Sequence, residues 1–306
     1  MLALVNTPGG NAPVELREVA EPQPAPNEAL VEVRAFSLNR GELRLLQIRP
    51  EGWRPGQDIS GVVLKRATDG SGPAAGTRVV ALTDNAGWAE RAAVPAHRMA
   101  ALPDNASFEG AAALPVAGLT ALRSLRPGAP LLGKRVLITG AAGGVGHMAV
   151  QIAARSGARV TAIVGGSERG RHLRDAAEIV EGIDRAKGRF ALILESAGGA
   201  SLAAAIARIE AKGTIVIFGN SSGEPTSVTF RDFAEHPNAR IQSFSYFTSE
   251  AEDRFAPDLA LLASLVGDGS LKPVLAEHSW HDLAEIGPEL RDRHIAGKAV
   301  FRIDQA

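Results

Sequence analysis

The chain of 306 residues contains no cysteine, which excludes disulfides, thiolate metal sites and cysteine nucleophiles. Tyrosine is nearly absent too: Tyr246 is the single one, so any phenolic proton donor has to be that residue. Charge of one sign is not in excess, the formal net charge being −1. Neither nucleic acid nor an anionic membrane surface is therefore expected as a partner. No stretch approaches the ~20 uninterrupted apolar residues of a membrane span. The opening "MLALVNTPGGNAPVELREV" lacks a basic leader followed by a long apolar core, so a signal peptide is not expected and the cytoplasm is the expected compartment. What remains is ordinary for a globular protein: 45% apolar and 22% charged residues, in a chain long enough for two domains.

Three textures follow one another along the chain. Up to about residue 117, Gly, Pro, Asn and Asp break the sequence at short intervals between strand-like pieces such as Ala29–Ala35, Gly61–Lys65 and Thr77–Leu82. Residues 118–249 alternate strand and helix signals, with strands at Arg135–Thr139, Arg159–Val164, Leu192–Glu195 and Thr214–Phe218 and helices between them. That alternation predicts a doubly wound parallel sheet covered on both faces. Residues 250–306 carry two helical segments and a closing strand at Lys298–Ile303.

The segment "VLITGAAGGVGHMAVQIAARSGARVTAIVG", Val136 to Gly165, is one βαβ unit with a glycine-rich first turn. The turn departs from the strict G-x-G-x-x-G spacing but keeps its physics. Gly143 and Gly144 are free to take backbone angles closed to other residues, Gly144 admits a pyrophosphate to the main chain, and Gly146 lets the helix pack on the sheet. With Val145 they place helix N–H groups toward an anion. A dinucleotide is the expected ligand. The second strand ends in Val164 and is followed by Gly165 and Gly166, so the acid that would bind a ribose hydroxyl is missing there; Glu168 alone comes near that count. Ser167, Arg169 and Arg171 instead offer a hydroxyl and two cations to a 2′-phosphate, which favours NADPH. His147, on the first turn of the helix, reads as a packing or capping residue.

Several further stretches are similar to one family. "SLNRGELRLL" (Ser37–Leu46), "PGQDISGVV" (Pro55–Val63), "GWAERAAVP" (Gly87–Pro95), "AAALPVAGLTAL" (Ala111–Leu122) and "AGKAVFRI" (Ala296–Ile303) resemble the medium-chain dehydrogenase/reductase superfamily, in its zinc-independent quinone oxidoreductase branch of the zeta-crystallin type. The resemblance implies an α/β protein in which a Rossmann domain is inserted in a GroES-like β-rich catalytic domain. It also implies a homodimer acting on a small-molecule quinone or enone with NADPH as cofactor. Where zinc members hold a His-Glu pair, this chain reads Gly56-Gln57-Asp58, and no metal is expected.

The same resemblance assigns site residues. Asn39 is expected near the nicotinamide and substrate, while Arg40 and Glu42 beside it read as solvated charges. Relatives carry a tyrosine on that loop, which here reads "LRLLQIRPEGWRPG", so Tyr246 is the candidate replacement donor. Thr120 is expected at the pyrophosphate or nicotinamide, Ser196 to Gly199 over the adenosine ribose or pyrophosphate, and Phe218, Gly219, Asn220 and Ser221 at the next strand end. Ser245 and Phe247 flank Tyr246 in the segment whose backbone meets the nicotinamide, and Lys298 resembles the lysine of the terminal Gly-Lys strand. Two other readings stay open: an enoyl-thioester reductase, and a non-catalytic NADPH-binding structural or nucleic-acid-binding protein.

Overall fold

The structure is a computed structural model that describes residues 1–10, 12–245 and 255–304. In chain order its strands and helices are β1 (Leu2–Asn6), β2 (Val14–Glu18), β3 (Glu28–Leu38), α1 (Arg40–Ile48), β4 (Asp58–Lys65), β5 (Arg78–Leu82), β6 (Arg91–Pro95), β7 (Met99–Ala101), α2 (Phe108–Ala112) and α3 (Pro115–Leu125). Then come β8 (Arg135–Ile138), α4 (Gly146–Arg155), β9 (Arg159–Val164), β10 (Glu178–Glu181), β11 (Phe190–Glu195), α5 (Gly199–Ile206), β12 (Ile209–Ile217) and β13 (Arg240–Ser243). The chain closes with α6 (Phe255–Gly267), β14 (Leu275–Ser279), α7 (Leu283–Arg291) and β15 (Lys298–Arg302). Two compact units result, one of Met1–Leu119 with Ala251–Ala306 and one of Thr120–Glu250. Among the described residues no helix is long and apolar enough to cross a membrane.

The first unit is organised by β3, the longest strand, whose sequence EALVEVRAFSL is apolar on both faces over its second half. It pairs antiparallel with β4, β6 and β15, inside a seven-stranded sheet of order β14-β15-β3-β4-β5-β7 with β6 also on β3. Strands 260 residues apart in sequence thus become neighbours: Ala299 faces Leu38 and Phe301 faces Phe36. Phe36 stacks between Trp88 and Phe301, with ring centroids 5.5 and 5.2 Å away. All three rings are fully buried, and truncating any one to alanine would cost about 3–5 kcal/mol.

The second unit is a six-stranded parallel sheet of order β10-β9-β8-β11-β12-β13. The chain starts at β8, winds outward through β9 and β10, then returns to β11 and winds the other way. The order reverses between β8 and β11, the place where such sheets open a crevice at their carboxyl ends. Only two of the crossovers are α-helical, α4 from β8 to β9 and α5 from β11 to β12. The expected helix after β9 is a single 3-10 turn at Ser167–Gly170, because "GSERGRHLRDAA" supplies few apolar residues at helical spacing. The edge strands β10 (EIVE) and β13 (RIQS) carry no strand signal of their own and exist through the ladder of β9 and β12.

Candidate functional site

Cross-strand register builds a polar centre in the first unit. Asp58, the first residue of β4, lies opposite Ser37 of β3, and the Ser37 hydroxyl donates to its Oδ2 at 2.6 Å. Lys298 precedes the Ala299–Leu38 pair, which brings its ammonium to the Leu38 carbonyl (3.2 Å), Asn39 Oδ1 (2.6 Å) and Asp58 Oδ2 (3.1 Å). Asn39 caps α1, and Glu42 three residues on returns its carboxylate to the Asn39 backbone N–H at 2.9 Å. The Asn39 amide nitrogen donates to Asp58 Oδ2 at 2.7 Å and to Glu42 Oε2 at 3.1 Å. Gln57 N–H donates to Glu42 Oε1 at 3.0 Å, and Val116 N–H to Asp58 Oδ1 at 2.8 Å.

Glu42 and Asp58 are both fully buried and Lys298 nearly so. Two carboxylates therefore share one ammonium. Burial, and then the charge of Asp58, push the Glu42 carboxyl up to about 8, against the N–H donors and the Lys298 charge that favour its ionised form. Every hydrogen of the Lys298 ammonium and of the Asn39 amide has an acceptor within this network.

The second unit builds its polar centre from strand ends. Leu194 faces Ile138 in the β8–β11 ladder, so Thr139 and Glu195 follow side by side at the switch point. The Thr139 hydroxyl donates to Glu195 Oε1 at 3.2 Å and accepts from Ser196 N–H at 2.9 Å. Fully buried Glu195 also takes Ala197 N–H (3.1 Å), Gly198 N–H (2.9 Å) and the Ser201 hydroxyl (2.8 Å). One carboxylate thereby folds the loop that opens α5. The loop after β12 docks on it, with Ser221 N–H on the Ser196 carbonyl at 3.0 Å and Ser222 N–H on the Ala197 carbonyl at 2.8 Å.

The glycine turn, at the end of β8, lies beside the loop after β11 and differs in detail from its expected form. The left-handed backbone is at Gly140 (φ 59°), not at Gly143: Gly140 is the residue at which the chain reverses out of β8, and Gly143 only closes the turn, its N–H donating to the Gly140 carbonyl at 2.9 Å. A Cβ on Gly146 would collide with the Gly140 carbonyl and the Ala141 backbone; here glycine is required by close approach. His147 is buried and its Nδ1–H donates to the Gly143 carbonyl at 2.8 Å, which ties the helix to the turn.

After β9, Val164, Ser167, Gly170 and Arg171 line a pocket of about 390 Å³ with Ile179 and Glu181 of β10. A Cβ on Gly165 would meet nothing within 4 Å. Arg171 is ion-paired with Glu168, and both side chains are largely exposed. His172, next along, is stacked edge-on against His147, and burial lowers its pKa, with the Arg169 charge adding to the shift.

The structure thus gathers Gly143, Gly144, Val145, Ser196, Gly199, Phe218, Gly219, Asn220 and Ser221 on adjoining loops at the carboxyl ends of one sheet. Gly165, Ser167, Arg169 and Arg171 lie on the loop after β9, Thr120 is buried on α3, and Ser245 is exposed just past β13. Asn39 and Lys298 belong to the first unit's network, where their donors are committed. Tyr246 and Phe247 lie outside the described residues. Glu42 is a correction: read as solvated, it is fully buried, because the capping box turns it inward. The pattern Asn39-x-x-Glu42 ahead of an apolar run was the available signal. Glu195 was legible only as an acid closing the apolar strand "LILE".

With this geometry in place, comparison with known proteins adds three findings. Residues 144–264 match the family model described as zinc-binding dehydrogenase. The chloroplast envelope quinone oxidoreductase homolog of Arabidopsis thaliana is 37% identical over 173 residues, 51% of this chain and 53% of that protein. The Escherichia coli quinone oxidoreductase complexed with NADPH superposes with a TM-score of 0.86 over 99% of this chain and 100% of that one, at 23% identity. The chain is thus similar in sequence to quinone oxidoreductases and shares the fold of that solved structure. It spans about half the length of the curated quinone oxidoreductase relatives it matches. A further relative, the spectinabilin polyketide synthase system protein NorB of Streptomyces orinoci, is 33% identical over 263 residues, 82% of this chain but 12% of that protein.

Zinc and a dinucleotide are the two groups that such relatives imply. Zinc does not fit: cysteine is absent, and among the described residues no cluster of three or more His, Asp or Glu could hold an ion. A dinucleotide does fit. The Gly140–Gly146 turn opens the α4 N-terminus at the switch point, with Gly146 letting the helix start tight against the turn backbone and Gly143 leaving the main chain uncovered, a Cβ there meeting only the Gly140 carbonyl.

Proposed function

We propose that the chain is a zinc-independent, NADPH-dependent oxidoreductase that transfers hydride to a quinone or an α,β-unsaturated carbonyl. The observation that carries this reading is the row formed at the carboxyl ends of one sheet by the glycine turn after β8 and the loops after β11 and β12, organised by Thr139 and Glu195. The quinone oxidoreductase names of the relatives supply the substrate class. The first unit is the substrate-binding catalytic domain and the second the cofactor domain, in a cytoplasmic homodimer without nucleic-acid or membrane partners.

NADPH, when bound, supplies the hydride. Gly143, Gly144 and Val145 would hold the pyrophosphate with Ser196 and Gly199, while Ser167, Arg169 and Arg171 would take the 2′-phosphate. Thr120, Phe218, Gly219, Asn220, Ser221, Ser245 and Phe247 would serve the rest of the cofactor. Glu42, Asp58 and Lys298 keep Asn39 rigid, so Asn39 acts by position and through its Oδ1 rather than as a donor. The reduced substrate oxygen would need a proton, and Tyr246 would deliver it. A second reading, enoyl-thioester reduction, draws on the match to the polyketide synthase protein over most of this chain.

Steady-state NADPH oxidation with quinones, enones and enoyl thioesters tests the proposal. Tyr246→Phe should lower kcat on an enone ~10²-fold, the scale of a positioned general acid. A quinone should be barely affected, because its reduced oxygens are stabilised by aromaticity and protonated by solvent. No turnover of any of the three classes by the wild-type chain would end the reductase reading. Parallel small losses on enone and quinone would remove Tyr246 from the mechanism.

A further inference from the structure

Arg54 stands on a segment held rigidly at every step. Its own carbonyl accepts from Ala86 N–H at 2.9 Å, the Pro55 carbonyl from Trp88 N–H at 3.2 Å, and the Gly56 carbonyl from the Thr83 hydroxyl at 2.5 Å. Gln57 N–H then donates to Glu42, and Asp58 enters the polar network. On this fixed backbone the Arg54 side chain is half-buried, and its Nε and Nη2 are wholly shielded from water with no acceptor among the described residues. Those two nitrogens share one edge of the guanidinium, the fork that grips a carboxylate or phosphate through two parallel N–H···O bonds. Burial alone lowers the Arg54 pKa, with no carboxylate contributing. A cationic fork left without acceptors is costly, and a side chain that turns to an anion recovers that cost.

We propose that Arg54 is a substrate-recognition residue whose Nε/Nη2 fork binds an oxyanion group, a carboxylate or a phosphate, carried by the substrate away from its reacting carbon. This rests on the reductase reading for its biological use but not for its binding chemistry. The side chain swings from its tucked position to present the fork, while the pinned backbone from Arg54 to Asp58 stays in place.

The test is equilibrium binding to the full chain of benzoate, phenyl phosphate and neutral benzamide. Wild type should bind benzoate or phenyl phosphate at least tenfold more tightly than benzamide, and the tighter of the two anions identifies the group as carboxylate or phosphate. Arg54→Met should erase the preference, and Arg54→Lys, which keeps the charge without the fork, should restore only part of it. Thermal unfolding identifies any variant that fails to fold, and the lysine variant then carries the comparison. Equal binding of all three probes by wild type, or full anion preference in a folded Arg54→Met chain, overturns the proposal. In turnover, the kcat/KM ratio of a carboxylate-bearing enone to its methyl ester should collapse toward one in Arg54→Met. Arg54-dependent anion binding in a chain that oxidises no NADPH would sink the reductase reading and leave this site standing. Turnover with a ratio indifferent to Arg54 would do the reverse.

Discussion

The two polar centres of the molecule are built on opposite principles. In the first unit, Ser37, Asn39, Glu42, Asp58 and Lys298 spend their donors on one another in a buried, closed network. In the second, Thr139 and Glu195 accept from backbone N–H groups and a hydroxyl of the next loop, and they leave an open glycine turn beside it. The first arrangement rigidifies; the second leaves a helix N-terminus and a glycine turn uncovered by side chains. Residues of the kind usually read as catalytic, an asparagine, two acids and a lysine, here mostly hold each other. The chemistry of the second centre comes from backbone and from absent side chains.

The contrast is broken most severely at Lys298. Lys298→Met leaves Asp58 buried without its cation, and breaking such a pair costs about 3–5 kcal/mol. Thermal unfolding should show a large loss for the first unit, whereas Glu195→Gln should mainly weaken NADPH binding. Comparable loss of stability in both variants would erase the distinction.

Next in size is the pH response of Glu42. Its carboxyl, raised from 4.5 to about 8, keeps a proton in the folded state that the unfolded chain has shed. Its contribution is therefore fully present below about pH 4.5 and is lost as pH rises through about 8, an effect on the order of a few kcal/mol. Glu42→Gln should flatten the stability profile over that window in denaturant titrations. An equally steep profile in the variant would assign the titration to another group.

Smaller again is the effect at the turn. Gly144→Val should weaken NADPH at least tenfold, ~1.4 kcal/mol, with the fold retained, as read by fluorescence titration. The finest distinction concerns the loop after β9. Arg169→Ala combined with Arg171→Ala should weaken NADPH more than NADH, and Arg171→Ala alone should act weakly because Glu168 already pairs with it in solvent. Equal losses for the two cofactors would hand ribose recognition to Glu168.

Legibility in the sequence followed the range of the forces involved. The β8–turn–α4–β9 unit was readable because an apolar run, a glycine cluster and a 3.6-residue period are all local. β10 and β13 were not, since neither EIVE nor RIQS has a pattern and each is recruited by a neighbour's free edge. The candidate loops of the second unit could be named from strand ends, yet the left-handed residue proved to be Gly140. Arg54 carried no signal at all: a lone arginine before a proline looks solvated until its buried fork is seen.

By itself, the amino-acid sequence determined the order of β-rich and alternating segments, the phosphate-type turn and the absence of any thiolate chemistry. Each depends on residue type and near-neighbour spacing. Only the tertiary structure decided that Asn39, Asp58 and Lys298, 19 and 259 residues apart, close into one network, and that Glu42 is inside it. Burying a charge is tolerable only when partners from distant strands arrive at hydrogen-bonding distance, and that arrival is set by sheet register, which no local pattern encodes.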